Sequence, residues 1–152
     1  MKPKLTYIIK NYEDLSKAEL YDLLQLRAAV FVVEQDCPYQ DVDGKDQKAL
    51  HLLGYADNVL VAYTRLFTPG SYFENTSIGR VVVAKNVRRF GYGKELMQQS
   101  IKTLEERYGN KMIEISAQEY LRNFYNELGF VQKGEGYLED NIPHIRMFKT
   151  EF

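Results

Sequence analysis

The segment that most constrains the fold of this chain is a β-branched strand that runs into a glycine-containing turn and then into a helix. Residues 77–84 read SIGRVVVA, residues 88–94 read RRFGYGK, and apolar residues then recur at helical spacing. A strand, a glycine turn and a helix in this order aim backbone N–H groups at an anion. Gly91 and Gly93 permit a close approach of the ligand because neither carries a Cβ. The segment therefore predicts an α/β domain with a phosphate-binding turn.

Two common phosphate loops are excluded by the residues of this turn. A dinucleotide fingerprint requires glycine where Leu96 stands, and a P-loop requires glycine in place of Arg88 and Ser or Thr in place of Glu95. The pattern that remains is R-x-x-G-x-G. Arg88, Arg89 and Lys94 place positive charge at the start of the helix, where the helix dipole already favours an anion.

The composition predicts one folded domain, 1–152, without a linker or repeat. The chain has 152 residues, of which 45% are hydrophobic. Twenty Lys plus Arg against 21 Asp plus Glu give none of the basic excess of a nucleic-acid binder, so no nucleic-acid partner is expected. A single cysteine, Cys37, excludes an internal disulfide, and no metal site is predicted. No apolar run approaches the ~20 residues of a membrane span, and the first ten residues lack an apolar signal core, so a cytoplasmic protein is expected.

Periodicity and turn signals predict the element order β-α-β-β-β-α-β-α-β-β. Ser16 and Glu19 have capping-box spacing at the first helix, and Asp57-Asn58 is typical of a hairpin turn. Strands are predicted at 4–10, 51–56, 59–67, 77–84, 111–116, 130–133 and 145–149, and helices from Lys17 to near Val30–Val33, at 91–108 and at 120–128. The expected fold class is a single-domain, mixed, mostly antiparallel sheet of about seven strands flanked by helices.

Several segments together resemble the GNAT superfamily of N-acetyltransferases, which use acetyl-CoA. The R-x-x-G-x-G turn resembles that family's pyrophosphate motif, and residues 118–130, QEYLRNFYNELGF, resemble its next helix with a Tyr before a Gly-Phe pair. Three further features resemble the ElaA-like subgroup: Arg27 with VFVVEQ at 30–35, CPYQDVDGKD at 37–46, and IPHI at 142–145. The resemblance covers nearly the whole chain.

The resemblance implies a cofactor site between splayed fourth and fifth strands, where the pantetheine arm pairs with the backbone of the fourth strand. It implies no metal. Gln118 departs from the family, which often has Asn at this position. The implied cofactor-binding residues are Val81, Val82, Val83, Arg88, Arg89, Phe90, Gly91, Tyr92, Gly93, Lys94, Gln118 and Asn123.

In the implied reaction an amine attacks the thioester directly, and Tyr125 matches the family tyrosine that protonates the leaving thiolate. The oxyanion donor is expected to be a backbone N–H near Val82. Three candidates stay open for the general base: Glu34, His144 and His51. Covalent catalysis at Cys37 is disfavoured because this family transfers the acetyl group directly.

The acceptor is expected to be a small-molecule or peptide amine, and the protein a monomer or homodimer. Residues 34–46 hold five acidic residues against one lysine, whereas residues 85–111 hold seven basic residues against three acidic ones. An acidic rim built by Asp41 and Asp43 is therefore expected to attract a cationic amine. Two alternatives are a CoA-binding module without turnover and an acyltransferase with a longer acyl donor, since acyl-homoserine-lactone synthases share the family fold.

Overall fold

A computed structural model describes residues 2–152, and Met1, the first residue of the predicted domain, lies outside the described part. The strands and helices are β1 Thr6–Asn11, α1 Lys17–Arg27, β2 Leu50–Ala56, β3 Val59–Phe67, β4 Thr76–Val83, α2 Tyr92–Tyr108, β5 Ile113–Gln118, α3 Arg122–Glu127, β6 Val131–Gln132, β7 Tyr137–Glu139 and β8 Ile142–Lys149. The strands form one sheet in the order β1-β2-β3-β4-β5-β8-β6, and β7 pairs with β8. Among the described strands, only β4 and β5 pair in parallel. The predicted fold class is confirmed.

The two long helices cover opposite faces of the sheet. Leu23 of α1 packs in a cluster with Leu53, whereas Leu96 of α2 packs in a cluster with Leu52. Successive residues of a strand point to opposite faces, so the neighbours Leu52 and Leu53 anchor different helices. The predicted capping box is present, because Ser16 Oγ accepts from the backbone of Glu19 and the Glu19 side chain accepts from the Ser16 backbone.

The α1 helix continues as a π-helical segment, Ala28–Glu34, one residue beyond the predicted end of the helix. The π-helix is rare and is often found at functional sites. Val30, Phe31 and Glu34 of this segment reach the cavity described below.

One strand was not predicted, and the last strand begins earlier than expected. The structure has eight strands rather than about seven because β7 and β8 form a hairpin around Asp140-Asn141. Both turn residues have positive φ, 51° and 63°, which is the geometry of the tight turns that suit hairpins. The last strand starts at Ile142 rather than Ile145, which places His144 inside β8.

Strands β4 and β5 separate after a short parallel contact. They pair only at Thr76–Ile113 and Ser77–Glu114, although β4 continues to Val83. The edge of β4 that faces β5 is therefore left without a neighbouring strand beyond Ser77. The splaying implied by the family resemblance is confirmed.

Candidate active site

A cavity of about 600 Å³ lies where β4 and β5 separate. Its walls come from β4, β5, the π-helical segment, the glycine turn, α3 and the β7–β8 hairpin. Among the predicted site residues, it is lined by Glu34, Val81, Val82, Val83, Arg88, Gly91, Gly93, Gln118, Tyr125 and His144. The predicted site residues outside the lining are His51, Arg89, Phe90, Tyr92, Lys94 and Asn123.

The glycine turn forms one end of the cavity. Gly91 has φ +75°, and an added Cβ would meet no protein atom within 4 Å, so the space in front of it is open. An added Cβ at Gly93 would lie 3.7 Å from Phe124, an ordinary contact. The turn ends at the N-terminus of α2, where unpaired N–H groups and the helix dipole favour an anion. This end of the cavity suits a pyrophosphate.

The side chains of two turn residues serve the protein's own packing. Tyr92 is fully buried and its hydroxyl donates to the carbonyl of Pro3. Arg89 stacks on Phe90 with 4.4 Å between the guanidinium carbon and the ring centre, and donates to the Asn86 carbonyl at 2.6 Å. Any contribution of Tyr92 to ligand binding is therefore confined to its backbone.

Arg88 and Glu34 form an ion pair at the wall of the cavity. The guanidinium donates to both carboxylate oxygens, at 2.5 and 2.6 Å, and its Nε donates to the Val83 carbonyl at 3.1 Å. Hydrogen bonding from Arg88 holds the pKa of Glu34 below its usual value. A carboxylate held in this way is a poor proton acceptor, so the geometry argues against Glu34 as the general base.

A β-bulge bends β4 beside the cavity. Tyr63 pairs with Val82 and Arg65 pairs with Gly79, so the register shifts between these pairs. Arg80 lies in the bulge with φ +48°, a left-handed conformation that costs a non-glycine residue about 1–3 kcal/mol. Bulges are common next to active sites, where they redirect strand groups.

Tyr125 of α3 also lines the cavity. The residue is 6% exposed and packs edge-on against Phe124 and Phe130, with ring centres 5.1 and 6.0 Å away. Burial raises the pKa of Tyr125 well above its usual value. The phenol therefore stays protonated at neutral pH, as a proton donor must.

His144 and Glu139 face each other in the same cavity. The Nε2 atom of His144 lies 3.5 Å from a carboxylate oxygen of Glu139, and His144 Nδ1 lies 2.7 Å from the Ile142 carbonyl. Ser116 donates to the other Glu139 oxygen at 3.2 Å and also bonds the Tyr137 hydroxyl. Of the three candidate bases, His144 has the geometry that best suits proton removal in the cavity.

His51 lies outside the cavity lining and has both ring nitrogens occupied. Its Nε2 donates to the Asp46 carbonyl at 2.9 Å, so its Nδ1 accepts from the Tyr63 hydroxyl at 2.6 Å. Burial lowers the pKa of His51, which keeps the ring neutral. A hairpin turn that pairs Ala56 with Val59 predicts Thr64 opposite His51. This register is wrong: His51 pairs with Arg65 because a bulge at Gly54/Tyr55 shifts the strand by one residue.

The acidic rim expected from residues 34–46 is also corrected. Asp41, Asp43 and Asp46 form a largely buried network with three arginines rather than an open negative surface. The pairs are Arg27 with Asp41 and Asp46, Arg65 with Asp43 and Asp46, and Arg80 with Asp41 and Asp43. Burial opposes ionisation of Asp43 and Asp46, but the arginines outweigh it and hold both pKa values below normal. These carboxylates are neutralised and cannot attract a cationic amine as predicted.

Sequence reasoning missed seven polar residues of the lining and considered Cys37 only as a disfavoured nucleophile. The missed residues are Gln35, Tyr39, Arg80, Ser116, Tyr120, Glu139 and Asp140. A signal for Glu139 was available, since Asp140-Asn141 is the same dipeptide as the hairpin turn Asp57-Asn58. Reading it as a turn places Glu139 on a strand beside His144.

Within residues 2–152, no helix is both long and apolar enough to cross a membrane. In the same range, no group of three or more His, Cys, Asp or Glu residues is placed to hold a metal ion.

Comparison with known proteins agrees with the shape of this site. A family model described as "Acetyltransferase (GNAT) domain" matches residues 13–151. The chain belongs to the GNAT acetyltransferase family. It is similar to protein ElaA of Escherichia coli K12, with 44% identity over 139 residues, 90% of this chain and 91% of ElaA.

Solved structures extend this similarity to the tertiary level. The crystal structure of Escherichia coli ElaA has a TM-score of 0.89 and 40% identity, covering 96% of this chain and 99% of that one. An acyl-CoA N-acyltransferase from Pseudomonas aeruginosa also has a TM-score of 0.89, with 43% identity over 95% of this chain and 99% of that one. A GNAT acetyltransferase from Elizabethkingia anophelis, solved with acetyl-CoA bound, shares the fold at a TM-score of 0.66 and 15% identity, over 97% and 98%. The family model and the likeness to the Pseudomonas aeruginosa protein support acyltransferase activity.

Proposed function

We propose that this protein transfers the acetyl group of acetyl-CoA directly to a primary amine. The observation that carries the proposal is the continuity of one cavity, which is lined by the glycine turn, the open edge of β4, Tyr125 and His144. Each part matches one requirement of the reaction: a pyrophosphate site, a channel for an extended arm, and acid and base groups at the reacting centre.

The cofactor end fits the diphosphate of CoA. Gly91 opens to the cavity with no protein atom where a Cβ would stand. The unpaired edge of β4 next to Val81–Val83 offers backbone groups to the amides of the pantetheine arm, as a neighbouring strand would. Gln118 Nε2 donates to Gln35 Oε1 at 3.3 Å and lines the same channel, so a longer amide occupies the place where the family often has Asn.

The chemistry follows from the groups in the cavity. His144 takes one proton from the ammonium form of the acceptor, and the nitrogen of the resulting neutral amine attacks the thioester carbonyl; the C–N bond forms and the C–S bond breaks. The oxyanion is stabilised by backbone N–H of β4 near Val82. Tyr125 gives its proton to the leaving thiolate and is reprotonated from the amide nitrogen through solvent.

The test is release of free thiol from acetyl-CoA by the full chain, over a panel of small amines, polyamines and peptides, with mass spectrometry of the product. Amine-dependent release with an acetylated product is expected. Faster release from octanoyl-CoA than from acetyl-CoA would instead favour the longer acyl donor. Stabilisation by CoA without turnover of any amine would identify a binding module, and no greater stabilisation by CoA than by AMP would refute the cofactor assignment.

A further inference from the structure

The hydrogen bonds of His144 fix which of its nitrogens faces the cavity. Nδ1 lies 2.7 Å from the Ile142 carbonyl, and a carbonyl can only accept, so Nδ1 carries the proton in the neutral ring. The side chain is 8% exposed, and among residues 2–152 Nε2 has no hydrogen-bond partner. The lone pair of Nε2 is therefore an unused acceptor of a largely buried side chain that lines the cavity.

The group opposite this lone pair is another acceptor. A carboxylate oxygen of Glu139 lies 3.5 Å from Nε2, and neither atom can donate to the other while the histidine is neutral. Glu139 is held in this position because Ser116 donates to it at 3.2 Å. The Tyr137 ring stacks on His144 at 6.2 Å between ring centres, which fixes the imidazole. Two acceptors that converge on one space are satisfied together by a group with two or more N–H or O–H donors.

A primary ammonium is such a donor, since it carries three N–H groups and a positive charge. Two groups of acidic residues near the cavity are already paired: Glu34 with Arg88, and the aspartates of the 41–46 segment with arginines. Asp140 also lines the cavity, at the exposed hairpin turn, but Glu139 is the carboxylate beside Nε2 of His144. Glu139 has a path to solvent, because its side chain is 44% exposed. An arriving cation thus meets Glu139 before it meets His144.

We infer that Glu139 and His144 together form the binding site for the ammonium group of the acceptor. The role of this site in turnover rests on the proposed acetyl transfer. The acceptor class is a primary amine that is cationic at neutral pH and carries no carboxylate or phosphate beside its nitrogen. Of the three ammonium protons, one goes to Nε2 of His144 and leaves as H⁺, one ends on the thiol of CoA, and one stays on the amide. Glu139 is not consumed; it holds the ammonium and then stabilises the imidazolium.

The experiment compares Glu139→Gln with wild type in equilibrium binding and in turnover. Calorimetry in the presence of CoA measures binding of n-butylamine, with 1-butanol as the uncharged probe. Wild type is expected to bind the amine and not the alcohol, and Glu139→Gln is expected to weaken amine binding about ten-fold or more, as loss of one charge-assisted hydrogen bond does. In turnover, the KM for the amine is expected to rise by a similar factor while the KM for acetyl-CoA stays within about two-fold.

Glu135→Gln is the matched control, because Glu135 is an exposed glutamate just before β7 and outside the cavity lining. The melting temperature with and without CoA shows that each variant is folded. Unchanged amine binding and an unchanged amine KM in Glu139→Gln would overturn the inference. Amine binding that depends on Glu139 without any thiol release would uphold the ammonium site and refute the proposed acetyl transfer.

Discussion

Asp46 is the carboxylate whose neutral replacement best tests the buried charge network. The residue is 5% exposed, and its Oδ1 accepts from Arg27 at 2.7 Å and from Arg65 at 3.0 Å. Asp46→Asn keeps the size of the side chain and one oxygen acceptor but removes the charge. Both guanidiniums then remain buried with one less anion.

The magnitude follows from these two contacts. A hydrogen bond to a charged group contributes about 1.5–3 kcal/mol, and breaking a buried ion pair by removing one partner costs about 3–5 kcal/mol. Asn Oδ1 keeps a neutral hydrogen bond, so we expect Asp46→Asn to lower the free energy of unfolding by about 3 kcal/mol. For a chain of this length that corresponds to a melting temperature about 6–12 °C lower.

The assay is urea unfolding at pH 7, followed by far-UV circular dichroism. Asp36→Asn is the control, because Asp36 is exposed and has φ +50°, a conformation that Asn tolerates. The free energy of unfolding of Asp36→Asn is expected to stay within about 0.5 kcal/mol of wild type. If Asp46→Asn unfolds at the same urea concentration as Asp36→Asn, the network does not stabilise the fold and the reasoning fails.

Three further outcomes are expected. Because the pKa values of Asp43 and Asp46 are lowered in the folded state, their contribution to stability is fully present above the unfolded pKa of about 3.9 and is lost as pH falls below it. The loss of unfolding free energy caused by Asp46→Asn is therefore expected to shrink only below about pH 4, as measured by urea titrations from pH 7 to pH 3. Tyr125→Phe is expected to keep the thermal shift caused by CoA and to lower kcat about 10²-fold, and an unchanged kcat with product release not limiting would exclude Tyr125 as the acid. Gly91→Val is expected to abolish most of the ~2.7 kcal/mol that CoA adds at 100 times its Kd, whereas Gly70→Val, with a similar φ of +84° and equally open surroundings, keeps it; equal losses in both would show only backbone strain.

Much of the fold could be predicted because its signals are local. The capping box at Ser16 and the Asp57-Asn58 turn depend on residues a few positions apart. The strand β7 was missed since three residues carry too little periodicity to stand out, even though the Asp140-Asn141 turn beside it was readable.

The candidate site divides in the same way. The turn around Gly91 is one continuous segment, so its motif could be found by inspection. The partner of His144 could not, because Glu139 reaches it only through a hairpin whose strand was not predicted. The β3 partner of His51 also differs from the predicted one, because one bulge at Gly54/Tyr55 shifts the pairing from Thr64 to Arg65.

The sequence by itself determined the mixed α/β fold, the phosphate-type turn and the family, because periodicity, caps and short motifs act over a few residues. Only the tertiary structure decided where charge is available. Asp41 meets Arg80 across 39 positions of the chain, and Glu34 meets Arg88 across 54. The packing of residues 34–46 against β4 and the glycine turn decides which opposite charges pair. Most carboxylates of a segment that is acidic in sequence are therefore paired with arginines in the folded protein. In the cavity, packing places a carboxylate oxygen of Glu139 3.5 Å from Nε2 of His144.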